Sequence, residues 1–482
     1  MTQSLYFLGI GGIGMSALAR WFQAQGAEVA GYDRTATALT QALQQEGITV
    51  DHTGATSALP EGLQQDMAGG RTEGWTIVWT PAIPSEFPLL QKLQQAGFTL
   101  YKRSEILGQL SEDRPLLAVA GTHGKTTTSS LLAHLLHHSG TPVEAFLGGI
   151  ARGQDSNLLL AGLGDPQPWM VAEADEYDRS FLTLHPTCAA ITSIDADHLD
   201  IYGTHDQMLQ AFGQFSAQVK TGGLLWHADV VAPLTKAVPA TRNLSPEVYG
   251  ALAPNAALSD HGWAAGYATV SASESGISGD AQFELHLRGH SPMNVSWKMP
   301  GPHNAANATA AAYLACRAGV NPATIPSALA AFPGVARRFE VKYNSGEHAI
   351  IDDYAHHPTE VEGAIAAARQ SFPRRKLTGI FQPHLYSRTQ DFMEGFAQAL
   401  SALDNCILLP IYAAREKPIP GVDTQGIGEK MVGCPVECPS EIRFLDVLEQ
   451  MDPEVILFMG AGDLDRWIDP AWDRINKNTT TP

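Results

Sequence analysis

Residues Gly121-Thr122-His123-Gly124-Lys125-Thr126-Thr127 join an apolar run, residues 115–120, to a helical pattern that continues through His138. Two glycines let backbone amides curl around phosphate oxygens, Lys125 supplies a mobile positive charge, and the Thr126 hydroxyl can sit on Mg2+. The helix that follows points its positive dipole end at the same anion. These features predict a protein that handles ATP. A glycine turn alone needs no ligand, but Lys and Thr after the second glycine serve no turn. The loop is shorter than the usual G-x-x-x-x-G-K-[ST], because Val119 stands where that pattern has its first glycine. His134, His137 and His138, in the last turns before Gly140, suit carbonyl capping and the negative end of the dipole.

Further groups fall at the ends of apolar strands, where open α/β sheets carry their ligands. After Trp169-Met170-Val171-Ala172 come Glu173-Ala174-Asp175-Glu176-Tyr177-Asp178, and one of these acids can hold Mg2+ opposite Thr126. After Cys188-Ala189-Ala190-Ile191-Thr192 come Ser193-Ile194-Asp195-Ala196-Asp197-His198, oxygens and an imidazole suited to a second hard cation. Downstream lie Arg337-Arg338, Asp353-Tyr354-Ala355-His356-His357-Pro358 and the segment Phe381-Gln382-Pro383-His384-Leu385-Tyr386-Ser387-Arg388. Near the start, Leu5-Tyr6-Phe7-Leu8 runs into Gly9-Ile10-Gly11-Gly12-Ile13-Gly14 and a helical pattern through Met15, Leu18, Trp21 and Phe22. A second strand ends at Asp33, roughly twenty residues on, where a dinucleotide-binding unit places its ribose-binding acid. Alone this favours NAD, although the same geometry holds any nucleotide diphosphate.

The elements that must position these groups form three α/β units, with boundaries at the polar turn 111–114 and at Phe332-Pro333-Gly334. The expected division is 1–112, 113–335 and 336–482. Residues 253–290 alternate weakly and read as strands and turns, and 476–482 as a polar, disordered tail. Lys plus Arg number 31 against 50 acidic residues, a formal charge of -19, which repels nucleic acid and anionic membranes. Five scattered cysteines argue for reduced thiols. No apolar run approaches the ~18 residues of a membrane span, and no signal-peptide pattern opens the chain, so a cytoplasmic protein is expected.

Taken together, Gly121 to Thr127, Glu173-Ala174-Asp175-Glu176, Asp195-Ala196-Asp197-His198, Gly301-Pro302-His303-Asn304 with Asn307, Arg337-Arg338-Phe339 and the Asp353 to Pro358 run resemble the Mur ligases in order and spacing across nearly the whole chain. Within that family, the Gly9 to Ser16 opening and Phe381-Gln382-Pro383-His384 are most similar to members that join L-alanine to UDP-N-acetylmuramate. The resemblance implies an α/β protein of three domains: an N-terminal Rossmann-like domain for the UDP sugar, a central P-loop ATPase with a mostly parallel sheet, and a C-terminal Rossmann-like domain bringing the amino acid. It implies that Gly11, Gly12, Ile13, Gly14, Met15 and Asp33 bind the UDP sugar. Gly121, Thr122, His123, Gly124, Lys125, Thr126 and Thr127 would grip ATP phosphates. His303, Asn304 and Asn307 would lie by the adenine, and Arg338, Asp353 and Tyr354 would approach the nucleotide. Thr126 and Glu173 would hold one Mg2+ and His198 another. Lys125, Glu173, His198 and Arg338 would be the catalytic set, and His356, His357, His384 and Arg388 would line the junction of muramyl carboxylate and alanine.

The implied reaction passes through an acyl phosphate, which the alanine amine attacks, in a monomer or homodimer. Two departures from the family pattern stand out. The lysine that sister ligases carbamylate would fall near Gly213, with Lys220 the nearest lysine, so no carbamyl-lysine is expected. Where many members read His-Arg-Tyr-Thr-Arg, this chain has His384-Leu385-Tyr386-Ser387-Arg388. Competing readings are a ligase that recycles a ready-made tripeptide, an NAD-dependent oxidoreductase resting on Gly9 to Gly14 and Asp33, and a non-catalytic nucleotide-binding regulator. The oxidoreductase reading leaves Lys125, Glu173 and His198 without a task.

Overall fold

The run Leu5-Tyr6-Phe7-Leu8 has no polar alternate, and all four side chains are buried, as befits a central parallel strand covered on both faces. In a computed structural model describing residues 4–152, 156–162, 167–220, 222–252, 265–270, 281–414 and 416–476, that strand is the middle of the first of three sheets. Its order is Thr49–Asp51, Glu28–Tyr32, Ser4–Leu8, Trp75–Trp79, Leu100–Lys102, all parallel. The order reverses beside Ser4–Leu8, so the loop at Gly9 to Gly14 opens into the crevice between Ser4–Leu8 and Trp75–Trp79.

The second sheet has ten strands. Its parallel centre places Leu116–Ala120 between Cys188–Ile191 and Trp169–Ala174. At one end Gly266–Val270 adds a last parallel strand, and Ala281–Leu287 and Met293–Trp297 continue from it antiparallel. These lie within the weakly alternating stretch and just beyond it; 253–264 and 271–280, like the tail 477–482, lie outside the described residues. The third sheet, order Glu340–Asn344, Ala349–Asp353, Val455–Met459, Leu377–Phe381, Asn405–Leu408, Val436–Glu437, is parallel apart from its first strand.

The first two sheets share the core on one of their faces. One apolar cluster runs from Leu5 through Phe22 and Phe146 to Leu234. Helix Ile13–Ala24 makes the join by packing on strands Val143–Ala151 and Ser156–Leu159. Polar contacts pin the seam. Trp21 Nε1 donates to Glu144 at 2.9 Å, Arg114 pairs with the same carboxylate at 2.5 Å while lying over the Trp21 ring, and Arg20 reaches Asn157 at 2.8 Å and Glu46 at 2.7 Å.

The third sheet is attached differently. Its entry, past Gly334, holds Arg337 and Phe339 in left-handed backbone conformation, φ 58° and 47°. Non-glycine residues reach that region only under outside constraint. The constraint is Asp353, whose two oxygens accept the amides of Phe339 and Ala355 at 2.8 Å, together with Arg337, which donates to the carbonyls of Gly460 and Gly462.

One expectation is corrected by the packing. His134 does not cap its own helix: its Nε2 donates across to the Ala328 carbonyl, in the last turn of helix Ile325–Ala331, at 2.8 Å, and the ring packs on Phe332, fixing that helix against helix Lys125–His138.

Candidate functional site

The phosphate loop leaves the buried strand Leu116–Ala120 at Gly121, φ +132°, where a Cβ would meet Thr192 Oγ1 at 2.1 Å, and enters the helix at Gly124, φ +81°, where a Cβ would lie 2.7 Å from Asn307 Oδ1. Only glycine fits either place. The loop is clamped to the end of the neighbouring strand: His123 N donates to Ser193 Oγ at 2.7 Å, and Asp195 N donates to Thr122 Oγ1 at 3.1 Å. Thr127 is buried in the first turn of the helix.

Lys125 Nζ lies 2.6 Å from the Gly121 carbonyl and 2.8 Å from Glu176, which is fully buried. Burial would lower the lysine, but Glu176 and the neighbouring acids outweigh it and raise it, so Lys125 stays charged. Burial, partly offset by Lys125, raises Glu176 above the ordinary carboxylate range. The pair gives the loop a cation held ready without substrate. Glu176 is the acid in the run 173–178 that sequence reasoning did not single out; its spacing of three from Glu173 was the available signal.

Thr126 Oγ1 donates to Glu173 at 3.0 Å. Room for that carboxylate is made by Gly148, whose Cβ would fall 2.0 Å from Glu173 Oε2, and room for the Thr126 methyl by Gly149. A hydroxyl and a carboxylate at the mouth of a phosphate loop form the oxygen donor set of a hard dication. His198, in a left-handed conformation at the start of helix Leu199–Tyr202, places Nε2 3.7 Å from both Glu176 and Asp197. Burial lowers its pKa, which favours the neutral imidazole that ligates metals.

The third domain closes on this edge. Arg388 donates to Asp197 at 2.9 Å, both side chains being buried. Burial would raise the Asp197 carboxyl, yet Arg388 outweighs it and holds it well below the usual range. The expected amino-acid pocket therefore divides. His384 stacks on Tyr412 with ring centroids 5.7 Å apart and faces His356 at 6.4 Å, while Arg388 is engaged by Asp197. His357 turns the other way, against His123 of the phosphate loop at 4.5 Å and Phe392 at 4.7 Å. Glu360 joins the two sides: it accepts from His356 N at 3.0 Å and lies 3.2 Å from His123 Nδ1. Sequence reasoning missed Glu360, although it stands one helical turn beyond His356.

Asn304 is buried and donates to the Pro300 carbonyl at 2.7 Å; Asn307 faces the loop at Gly124, and His303 is exposed beside Gly363. The Tyr354 ring lies 5.1 Å from the guanidinium carbons of both Arg337 and Arg338. Asp353 departs from its expected part. Both of its oxygens serve backbone amides, and burial, against the pull of Arg338, raises its carboxyl to about 6, so in this structure it builds the domain junction.

In the first domain Asp33 likewise accepts backbone amides, Gly11 N at 2.9 Å and Thr35 N at 3.1 Å, which shapes the loop. The side chain of Met15 enters the core, so it is the loop ending at Gly12, with the helix start at Ile13 and Gly14, that fronts the crevice. Arg103, at the start of helix Arg103–Glu112, lies so near Gly14 that a Cβ there would fall 2.0 Å from its NH1. A cation beside a glycine-rich helix start suits a diphosphate. Sequence reasoning passed over Arg103; the signal was its place at the end of strand Leu100–Lys102.

Comparisons with known proteins agree with this arrangement. Three family profiles match in succession: "Mur ligase family, catalytic domain" over residues 4–115, "Mur ligase middle domain" over 119–315, and "Mur ligase, glutamate ligase domain" over 337–462. The chain is 40% identical over 470 residues to the UDP-N-acetylmuramate--L-alanine ligase of Cytophaga hutchinsonii, covering 97% of this chain and 96% of that one. It is 41% identical over 469 residues to the protein of the same name from Porphyromonas gingivalis, covering 97% and 98%. Among solved structures, the UDP-N-acetylmuramate-alanine ligase of Thermotoga maritima superposes with a TM-score of 0.75 at 25% identity, over 98% of this chain and 99% of that one. A three-sheet frame, a short phosphate loop backed by Glu173 and His198, and relatives matched along nearly their whole length place this chain in the Mur ligase family.

Proposed function

We propose that this chain joins L-alanine to the carboxylate of UDP-N-acetylmuramate at the expense of ATP, a step of peptidoglycan synthesis. Mur ligases are ATP-dependent ligases, and the relatives matched over almost the full chain carry this activity in their names. The observation that carries the reading is the junction at the phosphate loop: Lys125, Thr126 and Glu173 stand at the edge where His356, His384 and Arg388 arrive from the third domain. In this reading 1–112 receives the UDP sugar, 113–335 the ATP and 336–482 the amino acid.

A carboxylate is a poor electrophile, and phosphorylation converts it to an acyl phosphate with a good leaving group. The alanine amine attacks that carbonyl, and the tetrahedral adduct collapses by expelling phosphate. Lys125, freed from Glu176, neutralises charge on the transferring phosphoryl, and Arg338 reaches it from the domain junction. Thr126 with Glu173, and His198 separately, are the groups that would hold Mg2+, which would supply further charge neutralisation there. Holding acid and amine in line supplies much of the rate, since well-aligned pairs reach effective molarities of about 10⁵ M or more. Among the described residues no helix is long and apolar enough to cross a membrane, and all five cysteines are free.

The test is phosphate release from ATP in the presence of UDP-N-acetylmuramate, with alanine, glycine, serine and the stem tripeptide compared. Turnover should be greatest with alanine. Turnover with the tripeptide alone would replace this reading with that of a recycling ligase.

A further inference from the structure

Where the phosphate loop meets the third domain, four side chains converge whose arrangement the ligase chemistry does not require. His123 lies between two carboxylates, its Nδ1 3.2 Å from Glu360 Oε1 and its Nε2 3.2 Å from Asp195 Oδ2. The His357 ring sits 4.5 Å from that of His123. One ligand atom each from His123, Asp195 and His357 lies within 4.8 Å of the others. His357 is 5% exposed, and its Nε2 is buried without a hydrogen-bond partner; His123 Nε2 is buried with no well-directed hydrogen bond. Asp195 keeps 45% of its side chain open to solvent, which leaves a path in and a position for water.

We infer that His123, Asp195 and His357 form a binding site for a zinc-type divalent ion, distinct from the Thr126, Glu173 and His198 set and joining the central domain to the third. Two imidazoles and one carboxylate, with room for water, is a zinc donor set, and nitrogen donors select Zn2+ or Co2+ over Mg2+. Bonds of about 2.1 Å put tetrahedral ligand atoms roughly 3.4 Å apart, so the three close in slightly on the ion. Glu360 completes the arrangement. It receives His123 Nδ1–H, fixing the tautomer that frees Nε2 for metal, the outer carboxylate that histidine ligands commonly carry. Binding releases a proton from His123. It also places the His357 proton on Nδ1, so the long contact in which Nδ1 accepts the Thr359 amide, 3.3 Å, is given up. The consequence is a metal cross-link that holds the third domain on the phosphate loop. The inference stands apart from the ligase reading, since it concerns metal binding with no substrate present.

The test is titration of the full chain with Co2+ in millimolar Mg2+, read by the visible absorption of tetrahedral cobalt, with Zn2+ as competitor. One equivalent should bind, Zn2+ should displace it, and Mg2+ should not. Affinity should fall at least tenfold in His357→Asn, which retains an acceptor for the Thr359 amide, and in Asp195→Asn, while His198→Asn should bind as the parent does. Melting transitions matching the parent certify that the variants are folded. No stoichiometric binding, undiminished binding in both His357→Asn and Asp195→Asn, or loss of binding in His198→Asn would each overturn the site.

Discussion

Replacing Glu360 by Gln should show how strongly the third domain is electrically tied to the phosphate loop. Burial alone would lower the His123 pKa, but Glu360 and Asp195 outweigh it and raise it to about 9. An unfolded histidine titrates near 6.5. A folded pKa above the unfolded one contributes stability that is complete below pH ~6.5 and is lost as pH rises towards 9. The gap of about 2.5 units, at ~1.36 kcal/mol per unit, sets a ceiling of ~3.4 kcal/mol on that contribution. Glu360 is the stronger of the two carboxylates, which together offset the burial cost as well as supplying the net rise, so the near-isosteric Gln should remove more than half, ~2–3 kcal/mol. The assay is NMR titration of the His123 ring in parent and variant, paired with denaturation at pH 6.5, 7.5 and 9. In the variant the ring should titrate at least one unit lower, and the stability lost between pH 6.5 and 9 should shrink accordingly. An unchanged His123 titration in a folded variant would refute the coupling.

Three other substitutions probe the proposed division of labour. Lys125→Ala should lower turnover by about 10²–10³-fold or more while UDP-sugar affinity stays near the parent's, measured by calorimetry; loss of sugar binding would contradict the assignment of the loop to ATP. Arg103→Ala should raise KM for the UDP sugar about tenfold, the value of one charge-assisted hydrogen bond at ~1.4 kcal/mol, with kcat little changed. Gly148→Ala puts a methyl 2.0 Å from Glu173 Oε2 and should raise the Mg2+ concentration needed for half-maximal phosphate release; an unaltered Mg2+ dependence would remove Glu173 from the metal site.

What the sequence disclosed and what it hid divide along physical lines. Strand runs such as Leu116–Ala120 and Val455–Met459 are apolar on both faces, so their burial and the ligand edge beyond them are legible from local pattern. The glycines at 121 and 124 announce themselves for the same reason, since only a ligand-bearing turn is followed by Lys and Thr. Partnerships across the chain carry no local signature. Arg388 is held by Asp197 and His123 by Glu360, pairs separated by 191 and 237 positions, and a histidine beside a proline gives no hint of which way it faces. Asp33 and Asp353 carry a second task that no pattern discloses, since their oxygens also accept the backbone amides that shape the loop and the domain junction.

The seam between the first two sheets has a metrical consequence. Helix Ile13–Ala24, whose start fronts the proposed UDP-sugar crevice, is fixed through Trp21 to the strand on which Gly148 and Gly149 make room for Glu173 and Thr126, and through Arg20 to the strand beside it. Crevice and phosphate site thus stand like the jaws of a locked calliper. If the crevice holds the sugar nucleotide as proposed, one whose acid arm is too long or too short would miss the phosphate site, and the placing of the third domain would not correct the error. On the proposed reading, length is gauged across the first two sheets, which leaves the third domain to judge the amine.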